Sequence, residues 1–454
     1  MKKGIKNIYF VGLGGIGMSA LARYFNAQKY KIAGYDRVKT KLTNELETEG
    51  IQLTVLDELQ EIPNDFKKKD CTLVVYTPAI PSENKILSFF KSNGFECIKR
   101  AAVLGALSAE FPTLAVAGTH GKTTVSTMIA HVLNSSGLKV NAFLGGVSRN
   151  FNSNLLLNDE ANLLVVEADE YDRSFLQLHP QQAVITALSL DHMDIYQDER
   201  DITSAFDQFV SQISVEGKLF VHESVVHRLK GKSNCEWITY GGDETDVVVS
   251  NIHLQDGEFL FDIEYKGIKV KRLSSGLPGF HNIENAAVTF AVAIEQGVEP
   301  LAIKSAFEGF MGIHRRFDIH LKGDKLVYID DYAHHPEEVN ILLKSVKEMY
   351  PNRKVTAVFQ PHLYSRTKDF AEDFALALSQ ADQLILMNIY PARELPIKGI
   401  TSQWLADKIK SKNVKVVEDN SLLSYLKTIE MDILLTIGAG DISLMIPKII
   451  EDFK

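Results

Sequence analysis

The sequence predicts an α/β protein with three domains. Short apolar runs of strand length alternate with helix-like segments along most of the 454 residues, which is typical of parallel sheets covered by helices. Two of these runs end in glycine-rich turns of the kind that bind nucleotides. Between Val247 and Val270 the hydrophobic period changes to two, which indicates inserted antiparallel strands. At about 100 to 200 residues per domain, a chain of this length forms two to four domains, and the pattern favours three.

The first predicted domain, residues 1–107, is Rossmann-like. Its strand-like runs are separated by segments with helical periodicity, and a glycine-rich turn follows the first of them. The runs that define it are Ile8–Val11, Lys31–Tyr35 and Leu73–Tyr76.

The second predicted domain, residues 108–313, has the pattern of a P-loop ATPase-like domain with inserted antiparallel strands. Asp256-Gly257 and Lys266-Gly267 supply the turn residues that antiparallel hairpins require. A helix is expected to start after Gly121. The predicted parallel strands are Leu114–Ala117, Leu163–Val166 and Ala183–Ala187.

The third predicted domain, residues 314–454, is a second Rossmann-like unit. A helical pattern at Glu337–Met349 follows its first strand, and further strands and helices alternate to the end of the sequence. The predicted strands are Leu326–Ile329, Val355–Phe359, Gln383–Ile389 and Ile433–Ile437.

Composition excludes several classes of partner. The formal net charge is -9 and there is no long run of Lys or Arg, so the chain lacks the basic surface of a nucleic-acid or anionic-membrane binder. Its three cysteines are far apart without a C-x-x-C pair, which fits a reducing cytoplasm. No apolar stretch is long enough to span a bilayer, and glycines from Gly12 onward interrupt any signal-peptide core. We therefore expect a cytoplasmic protein with small-molecule partners.

The most specific motif is a phosphate-binding loop between the predicted strand Leu114–Ala117 and the helix that starts at Lys122. Glycines let backbone N–H groups face an anion, and the helix start adds the positive end of a dipole. Lys122 is placed to reach the β- and γ-phosphates, and Thr123 to hold Mg²⁺. The spacing departs from the common P-loop, because Val116 occupies the position of its first glycine. The loop residues are Gly118, Thr119, His120, Gly121, Lys122, Thr123 and Thr124.

Acidic side chains and one histidine follow the next two predicted strands of this domain. Glu167 opens the stretch Glu167–Asp172, and His192 lies in Asp191–Asp194. The carboxyl edge of a parallel sheet is where ligands bind in open α/β folds. An oxygen-rich shell with one imidazole suits Mg²⁺ or Mn²⁺. We predict that Glu167 and His192 are metal ligands together with Thr123.

The amino-terminal pattern Gly12, Gly14, Gly15 and Gly17 fits G-x-G-x-x-G, and Asp36 closes the next predicted strand. Taken by itself, this pattern favours NAD. A second nucleotide site beside an ATP loop is explained more simply by a nucleotide-linked substrate, whose diphosphate would lie on the helix near Gly17. A tight turn without a ligand remains the alternative.

Two polar stretches, Asp330–Glu337 and Gln360–Thr367, each directly follow a predicted strand. The adjacent His334 and His335 are candidates to position or deprotonate a nucleophile, and Arg366 to clamp a carboxylate with its bidentate fork. Helix caps and loop hydrogen bonds are the structural alternative.

The chain resembles the Mur ligase family through ordered motifs along nearly its whole length. The motifs are Gly118–Thr124, Gly279–Asn285, His314–Phe317 and Asp331–Pro336. The resemblance implies a ligase of peptidoglycan precursor synthesis, in which ATP converts the carboxylate of a UDP-linked sugar acid into an acyl phosphate that an amine then attacks. It implies that residues 1–107 bind the UDP-sugar, 108–313 ATP and Mg²⁺, and 314–454 the amino acid.

Within the family, Val11–Ser19 and Gln360–Thr367 are most similar to the members that add the first amino acid. The implied substrates are UDP-N-acetylmuramate, ATP and L-alanine, bound by a monomer or weak homodimer. Met18 and Ser19 extend the implied UDP-sugar site. The resemblance also implies that His281 and Asn285 approach the adenine, and that Arg315 or Arg316, with Asp331, brings the carboxy-terminal domain onto the nucleotide.

The sequence departs from the family pattern at two places. Several relatives carry a carbamylated lysine after the metal histidine, but no lysine occurs from Asp191 to Gly217. The segment Tyr390–Glu394 also differs from the small-residue version of this subgroup. The missing lysine means that any second metal must be held by other residues. The changed segment Tyr390–Glu394 concerns selectivity for the amino acid.

Three other functions remain open at the level of sequence. A ligase attaching a preformed peptide to the same UDP-sugar is disfavoured by the pattern Gly14–Ser19. A nicotinamide-dependent oxidoreductase leaves Lys122 and Thr123 unexplained. A nucleotide-regulated binding protein gives no reason for Arg366 and the paired histidines.

Overall fold

The computed structural model describes residues 4–189, 195–229, 234–255, 258–392, 394–410 and 413–454. Within them lie three sheets of five, ten and six strands, each accompanied by helices, which confirms the predicted α/β class. The chain forms two compact units. The first comprises Met1–Asn251, Asp262–Leu273 and Glu284–Phe310, and the second comprises Ile252–Phe261, Ser274–Ile283 and Met311–Lys454.

The amino-terminal sheet is entirely parallel, with the strand order β3-β2-β1-β4-β5. Every residue of β1 is buried, as expected of a central strand covered by helices on both faces. The order reverses beside β1, so the glycine loop that follows β1 lies where such folds bind nucleotides. The elements are β1 (Asn7–Val11), α1 (Ile16–Ala27), β2 (Lys31–Tyr35), α2 (Lys41–Thr48), β3 (Gln52–Thr54), β4 (Thr72–Tyr76), α3 (Lys85–Ser92), β5 (Glu96–Lys99) and α4 (Arg100–Glu110).

The central sheet has a parallel middle and antiparallel ends. Two of its parallel strands, both apolar in their interiors, carry the phosphate loop and the acidic stretch at their carboxyl ends. The strands are β6 (Thr113–Ala117), β7 (Val140–Ser148), β8 (Ser153–Leu156), β9 (Leu163–Glu167), β10 (Gln182–Ile185), β11 (Lys218–His222), β12 (Glu236–Tyr240), β13 (Val247–Gln255), β14 (Glu258–Tyr265) and β15 (Ile268–Ser274). The helices are α5 (Lys122–Ser135), α6 (Glu199–Ser211), α7 (Glu223–Val226), α8 (Phe280–Glu295) and α9 (Pro300–Glu308).

The carboxy-terminal sheet begins with an antiparallel pair and continues in parallel, in the order β16-β17-β21-β18-β19-β20. The strands are β16 (Asp318–Lys322), β17 (Val327–Asp331), β18 (Val355–Phe359), β19 (Gln383–Leu386), β20 (Val414–Val416) and β21 (Ile433–Ile437). The helices are α10 (Pro336–Met349), α11 (Tyr364–Asp369), α12 (Ala371–Leu378), α13 (Ser402–Ala406), α14 (Leu422–Leu426) and α15 (Ile446–Phe453).

The first two sheets share one compact unit because helix α1 packs on strands of the central sheet. The Asn154 amide donates to Ile16 O at 2.6 Å and to the Ser19 hydroxyl at 2.9 Å. The Tyr24 ring lies against Phe143, with centroids 5.6 Å apart. These contacts fix the helix that follows the glycine loop against the ATPase-like sheet.

Several predicted boundaries need adjustment. Strand β10 ends at Ile185, two residues earlier than predicted, because the Ala187 carbonyl accepts a hydrogen bond from Thr119 N at 3.0 Å in the phosphate loop. Strand β19 also ends early, and Met387 N donates to Phe359 O at 3.0 Å beyond it. Lys266-Gly267 forms the predicted turn between β14 and β15, whereas Asp256-Gly257 lies outside the described residues.

Candidate functional site

The phosphate loop connects the buried strand β6 to helix α5. Gly118 and Gly121 have φ values of +134° and +80°, in a backbone region that residues other than glycine rarely adopt. A Cβ on Gly118 would also overlap the Thr186 side chain. Helix α5 begins at Lys122, so its first N–H groups face the loop as an anion site requires.

The segment after β10 supports this loop from one side. The Thr186 hydroxyl bonds to His120 O and, at 3.2 Å, to Ala117 O. The Ser189 hydroxyl lies 2.9 Å from that of Thr119 and 3.0 Å from His120 Nε2. Hydrogen bonds to the segment after β10 therefore fix the positions of Thr119 and His120 in the phosphate loop.

Lys122 is held by a carboxylate that the sequence did not single out. Its Nζ lies 2.6 Å from Gly118 O and 2.8 Å from Glu170 Oε2. The Glu170 side chain is only 1% exposed. Burial alone lowers the pKa of Lys122, but the negative charges of Glu170, Glu167 and Asp169 raise it above its usual value. The lysine is thus a fixed cation at the mouth of the loop.

Two of the three predicted metal ligands belong to the described residues. Thr123 is buried in the first turn of α5, and Glu167 ends β9, the strand beside β6. Glu167 Oε2 accepts a hydrogen bond from Gly145 N at 3.1 Å. His192 lies outside the described residues.

The amino-terminal glycine loop is closed by Asp36, whose Oδ2 accepts from Gly14 N at 2.8 Å. Gly12 has a φ of +93°, and a Cβ there would lie 2.6 Å from Thr77 Cγ2. Met18 and Ser19 are buried in α1, so their side chains shape the helix behind the loop.

An arginine that the sequence did not single out lies at the start of α1. A Cβ on Gly17 would be 2.5 Å from Arg100 Nη1, and Arg100 Nη2 pairs with Asp169 Oδ2 at 3.1 Å. The neighbouring Lys99 pairs with Asp172 at 2.8 Å. The available sequence signal was the basic pair Lys99-Arg100 where β5 ends and α4 begins, at the same sheet edge as the glycine loop.

The predicted adenine residues belong to different units. Asn285 is buried in the first unit, and a Cβ on Gly121 would lie 3.4 Å from its Oδ1. His281 is part of the second unit, near Gly279. Within the first unit, Asn285 therefore lies beside the phosphate loop.

In the second unit, Asp331 organises the loop after β17. Its carboxylate accepts from Phe317 N and Ala333 N, both at 2.7 Å. Burial raises the pKa of Asp331 to about 6, against the opposing effects of Arg316 and the two N–H groups. Asp331 and Arg316 therefore form part of one local network.

The two predicted arginines share an aromatic neighbour. Arg315 Nε pairs with the buried Asp330 Oδ2 at 3.0 Å. The guanidinium carbons of Arg315 and Arg316 both lie 5.2 Å from the centre of the Tyr332 ring. Arg316 Nη1 lies 3.8 Å from Glu338 Oε1.

The paired histidines occupy different environments at the start of α10. The His334 ring is partly exposed, with Nδ1 3.2 Å from Glu338 Oε2 and from Tyr332 O. His335 is buried, and its ring packs edge-on against that of Phe370, with the ring centroids 4.8 Å apart. The backbone N–H groups of both residues donate to Glu338. These two bonds cap the start of α10, as the structural alternative for this stretch predicted.

The stretch Gln360–Thr367 leads from β18 into α11, where Arg366 is buried. The Ser365 N–H donates to Glu394 Oε2 at 3.0 Å, and the Ser365 hydroxyl bonds to the same carboxylate. Glu394 belongs to the segment that departs from the family pattern, so this segment is bonded to Ser365, the residue before Arg366. Arg393 of that segment lies outside the described residues.

A third loop of this sheet edge, Gly438–Asp441, was missed in the sequence. Gly438 N donates to Asp331 O at 3.1 Å, and Gln360 Nε2 donates to Asp441 Oδ1 at 2.6 Å. The sequence feature that could have revealed this loop is the Gly-Ala-Gly run directly after the buried strand β21. Hydrogen bonds thus join the loops after β17, β18 and β21.

Comparison with known proteins agrees with this architecture. The chain matches "Mur ligase family, catalytic domain" over residues 7–112, "Mur ligase middle domain" over 116–293 and "Mur ligase, glutamate ligase domain" over 315–445. The chain belongs to the Mur ligase family, which excludes the oxidoreductase alternative.

The relatives narrow the comparison further. A UDP-N-acetylmuramate–L-alanine ligase from Christiangramia forsetii is 46% identical over 446 residues, covering 98% of this chain and 97% of that protein. The enzyme of the same name from Porphyromonas gingivalis is 44% identical over 447 residues, covering 98% of both chains.

Solved structures show the same fold. A UDP-N-acetylmuramate-alanine ligase from Thermotoga maritima superimposes with a TM-score of 0.84 at 27% identity, covering 98% of this chain and 99% of that one. A murein peptide ligase from Psychrobacter arcticus gives a TM-score of 0.73 at 21% identity, covering 99% of both, which shows a shared fold. Among the described residues, no helix is both long and apolar enough to cross a membrane.

Proposed function

We propose that this chain joins L-alanine to the carboxylate of UDP-N-acetylmuramate, with release of ADP and phosphate, in the synthesis of peptidoglycan precursors. The observation that carries the proposal is a phosphate loop with a fixed lysine in a chain 46% identical, over 98% of its length, to a UDP-N-acetylmuramate–L-alanine ligase. Mur ligases depend on ATP, so ATP is the nucleotide. Attachment of a preformed peptide is disfavoured, because curated relatives that are 43% to 46% identical over 98% of this chain are named as L-alanine ligases.

The proposed reaction has two steps. A carboxylate oxygen of the sugar acid attacks the γ-phosphorus of ATP, and ADP leaves, giving an acyl phosphate. The amine of L-alanine then attacks the carbonyl carbon, phosphate leaves, and the nitrogen loses a proton as the amide forms. Phosphoryl transfer of this kind is accelerated mainly by positioning and electrostatics. Lys122 and the N–H groups at the start of α5 would stabilise the charge on the transferring oxygens.

We assign the metal site to Thr123, Glu167 and His192. The described donors fit Mg²⁺, or Mn²⁺, because a hydroxyl and a carboxylate follow adjacent parallel strands at one sheet edge and hard cations prefer oxygen ligands. When bound, the cation would neutralise charge on the phosphate oxygens. The absence of a lysine from Asp191 to Gly217 means that any second cation would need other ligands.

We assign the UDP-sugar to the domain of residues 1–107. Gly12, Gly14, Gly15 and Gly17 would let the backbone approach the diphosphate, and α1 would supply its N-terminus. Asp36 holds the loop through Gly14 N. Met18 and Ser19 would act by fixing α1, because both are buried in it.

We assign the nucleotide contacts to residues 108–313 and the amino acid to residues 314–454. His281 and Asn285 would approach the adenine. Arg315, Arg316 and Asp331 would bring the carboxy-terminal domain onto the nucleotide. These roles rest on the resemblance of the surrounding motifs and on the network that Asp331 and Arg316 share.

In the carboxy-terminal domain, Arg366 would clamp the carboxylate of L-alanine. The amine must be neutral to attack, so a base or a water chain must lie close to it. Of the two candidates, His334 is the better base, because its ring is partly exposed and its Nδ1 lies 3.2 Å from Glu338 Oε2. His335 is buried against Phe370 and would position the loop.

The proposal is tested by phosphate release from ATP with Mg²⁺ and UDP-N-acetylmuramate, with and without each amino acid, followed by mass spectrometry of the nucleotide sugar. We expect release only when L-alanine is also present, and a mass gain of one alanine residue. Release with a tripeptide but with no single amino acid would transfer the assignment to peptide attachment. A Lys122→Ala variant with normal turnover would refute the proposed role of the phosphate loop.

A further inference from the structure

The Glu170 carboxylate lies beneath the lysine of the phosphate loop, in a nearly dry environment. Its side chain is 1% exposed, and its Oε1 and Oε2 lie 2.9 Å and 2.8 Å from Lys122 Nζ. The backbone at Glu170 is fixed as well, because the Tyr196 hydroxyl donates to Glu170 O at 2.7 Å and Arg173 N donates to it at 3.0 Å. Two hydrogen bonds to its backbone carbonyl therefore fix the position of Glu170, whose carboxylate contacts Lys122.

The hydrogen bonds of Lys122 leave room for a ligand. An ammonium group has three N–H donors and no acceptor. One donor serves Gly118 O at 2.6 Å and another serves Glu170. The third faces Thr119 O at 3.5 Å, which is at the limit of a hydrogen bond. A phosphate oxygen can take this third donor without breaking the other two bonds.

Electrostatics favour keeping the pair together when the nucleotide binds. Moving Lys122 away from Glu170 would take a close counter-charge from a carboxylate that is 1% exposed, which is unfavourable. The incoming phosphates are also negative. An ammonium group that stays between them and Glu170 is therefore lower in energy than one that leaves Glu170 for the phosphates. The lysine should therefore stay anchored while its third donor meets the phosphate.

We propose that Glu170 is a positioning residue that anchors the Lys122 ammonium between Gly118 O and its own carboxylate, directing the remaining donor to the transferring phosphate. This inference rests on the proposed ligase function. It gives the acidic stretch Glu167–Asp172 two separate tasks, with Glu167 facing the metal site and Glu170 facing the lysine.

The test compares Glu170→Gln with Asp172→Asn in the full chain. Both changes remove one negative charge from the same stretch, but Asp172 pairs with Lys99 rather than with the phosphate loop. We expect Glu170→Gln to lower kcat by about 100-fold, the effect of misplacing a reacting group by about 1 Å, with the KM for ATP changed by less than about threefold. Asp172→Asn should keep kcat within about twofold of the parent.

A double-mutant cycle separates positioning from a general structural role. If Glu170 acts through Lys122, adding Glu170→Gln to Lys122→Ala should cause no further loss of kcat. Losses that multiply, or a Glu170→Gln enzyme as fast as Asp172→Asn, would overturn the inference. Thermal unfolding of each variant checks the fold. If Glu170→Gln does not fold, Glu170→Asp keeps the charge but withdraws it by one methylene, and should lower kcat in the same direction.

Failure of the inference can be told apart from failure of the proposed function. If the parent protein releases no phosphate with UDP-N-acetylmuramate and any amino acid or peptide, the proposed function fails. If the parent is active and Glu170→Gln matches it, only the role of Glu170 fails.

Discussion

At the scale of single residues, two carboxylates three positions apart have different environments. Glu170 is buried against Lys122, whereas Glu167 ends β9 at the sheet edge and accepts from Gly145 N. The same residue type therefore pairs with a lysine in one case and is our proposed metal ligand in the other. Burial and neighbours, rather than residue type, separate the two roles.

The position of Glu167 can be tested through its neighbour Gly145. A Cβ on Gly145 would overlap the Glu167 carboxylate, which is the flexible end of a side chain and can move. We expect Gly145→Ala to fold normally but to need more Mg²⁺ for half-maximal phosphate release, by about tenfold. A magnesium titration of the parent and the variant measures this. An unchanged magnesium requirement would count against Glu167 as a metal ligand.

The raised pKa of Asp331 predicts a pH-dependent contribution to stability. The pKa of Asp331 is about 6 in the folded chain, compared with about 3.9 in an unfolded chain. Between these values the folded state binds the proton more strongly, so its contribution to stability is greatest below about pH 4 and is lost as the pH rises to about 6.

We therefore expect the unfolding free energy of the parent, relative to Asp331→Asn, to fall by about 2 kcal/mol between pH 4 and pH 7. Urea unfolding at pH 4, 5, 6 and 7 gives this difference, and groups common to both proteins cancel. Parallel pH curves for the two proteins would show that Asp331 titrates normally.

At the scale of elements, a small ionic cluster joins the hairpin of β14 and β15 to helix α8 and strand β11. Glu295 pairs with Lys266 at 2.6 Å and with Lys218, and accepts from the Tyr265 hydroxyl at 2.7 Å. Burial alone raises the pKa of Glu295, but hydrogen bonds from Lys218, Lys266 and Tyr265 outweigh it and hold the pKa at about 2. The charged form of Glu295 therefore stabilises the inserted strands.

Replacing Glu295 by Gln should destabilise the chain by about 2 to 3 kcal/mol at pH 7, because two lysines lose a shared, largely buried partner. The lowered pKa makes this contribution complete above about pH 5 and progressively lost as the pH falls to about 2. Urea unfolding of parent and variant at pH 7 and pH 4 should show a smaller difference at pH 4. Glu264→Gln, in a more exposed pair with Lys269, is the matched control and should change stability little.

At the scale of the whole molecule, the proposed reaction draws on groups from both compact units. Lys122 belongs to the first unit, and His334 and Arg366 belong to the second. An acyl phosphate must also be protected from water. If these proposed roles are correct, we expect the units to close around the substrates during the reaction.

Small-angle X-ray scattering with a non-hydrolysable ATP analogue and UDP-N-acetylmuramate should show a smaller radius of gyration than the unliganded chain. The same experiment over a concentration series tests the expected monomer or weak homodimer, because dimers would raise the forward scattering. Identical scattering curves with and without ligands would contradict closure.

Much of the fold was predictable because its signals are local. The strand β18 occupies exactly the predicted Val355–Phe359, and α5 starts at the predicted Lys122. Apolar runs, helical periods and glycine turns depend on neighbouring residues alone. Strands β10 and β19 were shorter than predicted, because the chain after each of them bonds to other segments. Ala187 O accepts from Thr119 N at 3.0 Å, and Asn388 N donates to Asp419 Oδ1 at 3.3 Å.

The sequence by itself determined the α/β class, the phosphate loop from Gly118 to Thr124, and the family to which the motifs belong. Only the tertiary structure decided that Glu170 pairs with Lys122, that Arg100 lies over Gly17, and that His335 is buried while His334 is not. Each of these facts depends on residues brought together from distant parts of the chain. Long-range packing sets burial and charge pairing, and the periodicity of a sequence carries no record of either.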